Sequence, residues 1–338
     1  MPPTVVLHIG LMKSGTTFVQ QQLFAHRGLL AEHGVLFPGA SWGKQVSAVK
    51  DVLHHGTTLE EWTPIASAMK GHDGLSVLSC EFFAPARLRQ RERVVATLRP
   101  AQIHVVITAR DLNRVLMARW QETIQNGHTW HWADYVEDVR QSRPSLGEKR
   151  ATEAGRAFWR HQNLPAVARA WGKLVDRVTV VTGPHPGADR RLLLDRFCEA
   201  AGLPQLPLAE GRINESLGGA SILALRRMNE LLEEQDLPFP AGSWLRKGYL
   251  AKRVLASRRR DEPSLGLPVL GWVDEEAVVQ VRRIRNQQVP LVGDWADLSP
   301  VPVPGIDPSD VPDSEVAQAA AAGMAGLVQY CIQGQQKD

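Results

Sequence analysis

The chain has 338 residues, 43% of them hydrophobic, enough for one large α/β domain or two small ones and too apolar for wholesale disorder. A formal net charge of only +3 argues against a dedicated nucleic-acid binder, which carries a stronger basic excess. Three cysteines, Cys80, Cys198 and Cys331, stand far apart with no Cys-x-x-Cys or Cys/His cluster, which argues against a disulfide framework or a zinc site and for a reducing compartment.

The opening "MPPTVVLHIG" enters a short apolar run with no basic flank, so no signal peptide is expected. No stretch of about twenty apolar residues occurs, so no transmembrane helix is expected either. Together these point to a cytoplasmic protein.

In chain order, "TVVLHIG" (4–10) is a continuous apolar run rich in valine and ended by glycine. It reads as a strand buried on both faces, as in parallel sheets. Residues 16–34 follow at helical period, with Leu23, Leu29 and Leu30 on the apolar stripe and Gly34 as a stop. Further strands are expected at 34–39, 75–81, 102–110 and 177–183, and helices at 85–98, 112–126, 131–142 and 152–172. Between residues 40 and 74 no element is assigned. After residue 188 the pattern turns almost wholly helical: 189–201, 219–235, 242–258, 274–286 and 313–333. A proline-rich connector, 298–315, precedes a last helix beginning near Asp313 or Ser314. Alternation of strand and helix predicts an α/β fold, an open and mostly parallel sheet flanked by helices, with a helical C-terminal part. The expected division is an α/β core over 1–210 and a helical region over 211–338, packed together as one structural domain.

Between the first strand and first helix lies "GLMKSGTT" (10–17). Strand, glycine loop and helix N-terminus together make a phosphate cradle, because backbone N–H groups converge on an anion there. Gly10 and Gly15 permit the tight turn, and Thr16 and Thr17 add hydroxyl donors. The ATP-binding pattern G-x-x-x-x-G-K-[ST] puts lysine directly after the second glycine. Here Thr16 holds that position, and the lysine is Lys13, two residues before Gly15.

The stretch resembles instead the 5′-phosphosulfate-binding loop of sulfotransferases, which use 3′-phosphoadenosine 5′-phosphosulfate (PAPS). That family's loop reads Lys-[SGT]-Gly-[TS]-[TS], and Lys13, Ser14, Gly15, Thr16 and Thr17 match it one by one. The strand "VVITAR" ends in Arg110, as does the family's 3′-phosphate-binding strand; the family's serine eight residues on is Ala118 here, a departure. Arg114 or a residue of the helical half would then make up that contact. Softer likenesses continue to about residue 235.

The resemblance implies a PAPS-dependent sulfotransferase acting on a hydroxyl or amine of a small-molecule, sugar or lipid acceptor, with no metal. Lys13 would stabilise the leaving phosphate. Glu81, just past the third strand, would be the general base, as in carbohydrate-type members; a helix cap or salt-bridge partner is the plainer reading of the same residue. A P-loop-type kinase and a non-catalytic nucleotide-binding protein remain alternatives. His8 reads as a packed histidine, and His54 and His55 as residues of a solvated loop, with a place facing the acceptor pocket as the alternative. Trp130 and Trp132 read as core packing before an acceptor platform. The basic segment 244–260, with Arg246, Lys247 and Gly248, reads as a solvated helix face, with an anionic-lipid or acidic-acceptor surface as the alternative.

Overall fold

The computed structural model describes residues 3–54, 58–147, 151–210, 217–240 and 242–335. The chain is organised as two compact units. The first comprises Met1–Leu112, Ala157–Arg212 and Asp274–Ser299; the second comprises Asn113–Arg156, Ile213–Val273 and Pro300–Asp338.

The first unit is built on a six-stranded sheet: β1 (Thr4–His8), β2 (Val35–Leu36), β3 (Leu75–Ser79), β4 (Gln102–Ala109), β5 (Arg177–Thr182) and β6 (Leu291–Val292). Strand order is β2-β3-β1-β4-β5-β6, with every pair parallel. This is the open, parallel, helix-flanked sheet that the valine-rich runs predict. Successive side chains of β1 alternate between its faces. Val5 and Leu7 join a core with Trp62, Phe83 and Trp171. Val6 joins the opposite core with Val19, Leu23, Leu194 and Phe197.

The helices divide in chain order. α1 (Thr16–Ala25), α2 (Arg27–Glu32), α3 (Trp42–Leu53), α4 (Trp62–Lys70) and α5 (Leu88–Leu98) belong to the first unit. α6 (Leu112–Gln125) and α7 (Trp132–Gln141) carry the chain through the second, and α8 (Glu153–Gln162) leads back to α9 (Leu164–Gly172) and α10 (Arg191–Ala201) of the first. α11 (Gly219–Glu234) and α13 (Asp313–Gln335) lie in the second unit, whereas α12 (Gly271–Arg285) returns the chain to the first.

The structure amends the sequence reading in several places. The helix expected over 16–34 breaks at His26, whose φ of −108° and ψ of 23° are not helical and whose ring nitrogen bonds the Gln22 carbonyl at 2.9 Å. That expected over 152–172 breaks at Asn163, whose side chain accepts from Ala166 N at 3.2 Å, and Pro165 in the new first turn lacks an N–H. α3 and α4 fill the unassigned stretch 40–74. Residues 244–261 are not an α-helix. Trp244–Val254 winds as a wider π-helix, and Leu255–Asp261 as a 3₁₀-helix.

β6 is a further strand. A knot of polar groups ties the segment just after it to β5. Thr182 Oγ1 donates to Asp297 Oδ2 at 2.6 Å, and Arg196 Nη1 donates to the same oxygen at 2.7 Å and to the Thr182 carbonyl at 2.8 Å.

Within the second unit Trp120 Nε1 donates to the Trp130 carbonyl at 2.9 Å, and Asn229 Nδ2 donates to the carbonyls of Ile124 and His128. Trp130 stacks on His128 and Tyr135, and Trp132 packs on Trp120 and Tyr135. Both tryptophans serve the packing that the plainer sequence reading gave them.

Candidate functional site

The loop sits at the carboxyl end of the central strand, where ligands bind in open α/β sheets. Beyond β1 the chain stays zipped to β4: Ile9 N donates to the Val106 carbonyl at 3.0 Å and Leu11 N to that of Thr108 at 2.8 Å. It then turns sharply, with Ser14 N donating to the Leu11 carbonyl at 3.2 Å. Lys13 (φ 67°) and Gly15 (φ 95°) both take left-handed backbone on either side of Ser14. Glycine adopts this freely, but in a lysine it costs about 1–2 kcal/mol, a strain that the surrounding bonds hold in place.

α1 starts at Thr16 with Gly15 as its cap, no side-chain cap bond and no acidic residue in its first turn. Its first amides therefore depend on water or on an anion. Nor is there room for side chains. A Cβ at Gly10 would lie 2.3 Å from Thr108 Oγ1 and 2.5 Å from Thr16 Oγ1, and one at Gly15 would lie 2.5 Å from Leu193 Cδ2. Thr16 is 4% exposed, and its Oγ1 has no hydrogen-bond partner among the described residues. A buried hydroxyl left so costs about 1–3 kcal/mol, which marks a place a ligand oxygen would relieve. Thr17 is exposed and Lys13 half-buried.

Beneath the loop lies a cluster of polar side chains within an apolar sheet. His8 is fully buried; its Nδ1 is 2.8 Å from Ser79 Oγ and its Nε2 is 3.1 Å from Thr108 Oγ1. Thr108 Oγ1 is in turn 2.7 Å from Ser14 Oγ, which donates to the Leu11 carbonyl at 2.5 Å. Burial pushes the His8 pKa down to about 3, so the ring is neutral, in accord with the packed histidine read from the sequence.

Arg110 follows the last residue of β4, and its Nη1 lies 3.5 Å from the Lys13 carbonyl. It lines a cleft with Leu11, Gln162, Leu164, Gln280 and Leu298. Gln162 supports the loop from behind by donating to the Met12 carbonyl at 2.8 Å. Glu81 opens a 3₁₀-helix, Glu81–Phe83, two residues past β3. Gln20 of α1 donates both to the Ser79 carbonyl at 2.9 Å and to Glu81 Oε2 at 3.2 Å, fastening Glu81 to the helix that begins at the loop. The neighbouring Cys80 thiol is pushed up to about 12, by burial first and then by the Glu81 charge. It is therefore no thiolate nucleophile.

Lys13, Ser14, Gly15, Thr16, Thr17, Arg110 and Glu81 thus fall at the carboxyl ends of β1, β3 and β4. Gln20, Ser79, Thr108 and Gln162 escaped the sequence reading. Thr108, a hydroxyl inside "VVITAR", was the one visible signal; the partners of the other three come from distant stretches of chain.

His54 ends α3 and is exposed, and His55 lies outside the described residues. Ala118 and the buried Arg114 are on α6, in the second unit. Arg246 donates to the Leu237 carbonyl at 3.2 Å and stands over the Phe239 ring, while Lys247 Nζ donates to Asn126 Oδ1 at 2.5 Å, all within that unit. Among the described residues no cluster of three or more His, Cys, Asp or Glu could hold a metal ion, and no helix is long and apolar enough to cross a membrane.

No protein-family profile and no curated protein matches the chain. Among solved structures, a sulfotransferase from Alicyclobacillus acidocaldarius is similar over 77% of this chain and 100% of its own, at 12% identity and a TM-score of 0.41. A likeness that distant carries no argument about activity, which has to rest on the loop and its surroundings.

Proposed function

We propose that the chain is a PAPS-dependent sulfotransferase, transferring a sulfuryl group to a hydroxyl or amine of a small-molecule, sugar or lipid acceptor in the cytoplasm. The observation that carries this reading is the loop itself. Its lysine precedes the second glycine, and the buried, unpartnered Thr16 hydroxyl opens an uncapped helix. These residues fit a phosphate group: two glycines with no room for a Cβ, open amides and an orphaned hydroxyl.

PAPS, when bound, supplies the sulfuryl group and leaves as 3′-phosphoadenosine 5′-phosphate (PAP). Gly15, Thr16 and Thr17 would hold the 5′-phosphate, chiefly by backbone amides, and Ser14, whose amide and hydroxyl both go to the Leu11 carbonyl, would brace the turn. Lys13 would neutralise charge gathering on the leaving phosphate, a role worth about 10²–10³ in rate. Arg110 would grip the 3′-phosphate with its planar fork. Glu81 would take the acceptor's proton, and Gln20 would orient its carboxylate. The cofactor-binding residues all lie within 1–210, the stretch read as the α/β core.

Isothermal calorimetry of PAP against Mg²⁺-ATP tests the proposal. PAP is expected to bind and ATP to bind far more weakly. Tighter ATP binding, with Mg²⁺-dependent turnover, would replace it with a kinase.

A further inference from the structure

We propose that His8 is a positioning residue for the loop: as the Nε2–H tautomer it orders a one-way chain of hydrogen bonds that turns the Ser14 hydroxyl away from a bound anion and leaves Thr16 as the hydroxyl that meets it.

The direction of every bond follows from counting hydrogens. The Leu11 carbonyl can only accept, so the single hydroxyl hydrogen of Ser14 is spent on it, at 2.5 Å. In the 2.7 Å contact between Ser14 Oγ and Thr108 Oγ1, Thr108 must therefore donate. Its only hydrogen is then spent too. Across the 3.1 Å contact with His8 Nε2 it can only accept, which puts the ring proton on Nε2. A neutral ring protonated at Nε2 has a bare Nδ1, which accepts from Ser79 Oγ at 2.8 Å. The order is Ser79, His8, Thr108, Ser14, Leu11 carbonyl, each donating to the next.

Among the described residues, burial alone and no charged neighbour shifts the ring's pKa. The ring touches the two hydroxyls and the Phe197 ring, whose centroid is 4.7 Å away. The sheet register makes the chain possible, since His8 pairs with Ser79 on one side and Val106, two residues before Thr108, on the other. The opposite tautomer would present a bare Nε2 to Thr108. Thr108 would turn its hydrogen to the ring, and the contact with Ser14 would lose its proton. Ser14 could then keep it only by giving up the Leu11 carbonyl, the bond that closes the turn. The tautomer thus fixes which loop hydroxyl is committed, and among the loop's buried hydroxyls it is Thr16 that stays unpartnered.

The role of Thr16 rests on the phosphate-loop reading above; the tautomer does not. Two measurements separate them. Ring ¹⁵N shifts of His8 in the whole ¹⁵N-labelled chain, assigned with His8→Gln, are expected to show the Nε2–H form unchanged from about pH 8 to about pH 5. An Nδ1–H ring, or an imidazolium by about pH 5, overturns the chain of bonds.

Calorimetry with PAP then ranks the hydroxyls. Thr16→Val should weaken binding by at least ~10-fold and Thr16→Ser restore it, while Ser14→Ala, which loses the bond that closes the turn but no contact to the ligand, costs clearly less than Thr16→Val. His8→Leu, which keeps the bulk but no polar atoms, should weaken PAP, and His8→Gln, which keeps a donor, should recover most of the loss. A larger loss from Ser14→Ala than from Thr16→Val overturns the assignment, as does His8→Leu binding PAP normally. If the unaltered chain does not bind PAP, the sulfotransferase reading and the role of Thr16 fall with it, and the ¹⁵N spectrum still decides the tautomer.

Discussion

Lys13 and Arg110 meet where the Lys13 carbonyl lies 3.5 Å from the arginine's Nη1, yet their proposed tasks differ. Replacing Lys13 by alanine removes charge needed only as the leaving phosphate develops. Turnover should fall at least ~100-fold while PAP affinity changes far less, which single-turnover rates and calorimetry together would show. Arg110→Ala should instead weaken PAP by about 1.5–3 kcal/mol and leave adenosine 5′-phosphosulfate, which lacks the 3′-phosphate, nearly unaffected. Equal losses for both ligands would assign Arg110 to the 5′ side or to the fold. Gly10 makes a sharper test of packing. An alanine methyl would stand 2.3 Å from Thr108 Oγ1, so Gly10→Ala has to displace the loop or the hydroxyls beneath it. It should destabilise the chain by about 1–3 kcal/mol and abolish PAP binding, checked by urea unfolding and calorimetry.

Elements were legible in proportion to how local their causes are. Thr4–His8 and Gln102–Ala109 announce themselves as runs rich in valine, isoleucine and threonine, and the loop between β1 and α1 carries its chemistry in consecutive residues. The breaks at His26 and Asn163 were harder to see, because a side chain bonding its own backbone competes with the helix only weakly in sequence. β6 was invisible: two residues, Leu291–Val292, owe their pairing to contacts made from elsewhere. Its docking depends on Asp297, whose Oδ2 receives both Arg196 and Thr182 and whose side chain is 15% exposed. Asp297→Ala strands that guanidinium and should cost about 2–3 kcal/mol in urea unfolding, whereas Arg285, on the exposed face of α12, should tolerate alanine within about 0.5 kcal/mol.

Over the whole molecule the buried imidazoles set the response to acid. His8 is held down to about 3 by burial, and His104 to about 4 by burial and then by Arg177. Both stay neutral in the folded chain while the unfolded chain protonates them below about pH 6.5, so the unfolded state binds more protons and stability falls as pH drops. From His8 alone the loss at pH 5 should be roughly 2 kcal/mol, and His104, whose pKa of about 4 also lies below pH 5, adds a loss in the same direction. Denaturation free energies that stay flat between pH 7 and pH 5 would contradict the neutral, buried ring. The two units also bear on how the chain comes off the ribosome. The sheet draws on Met1–Leu112, Ala157–Arg212 and Asp274–Ser299, so its strands are synthesised around two long detours. β5 must wait as an open edge while more than a hundred residues emerge, from Thr182 to Leu291, before β6 can cover it. A chaperone would find that edge exposed on a nascent chain stalled before residue 291, and any truncation from the C-terminal side that passes Leu291 leaves the sheet without its last strand.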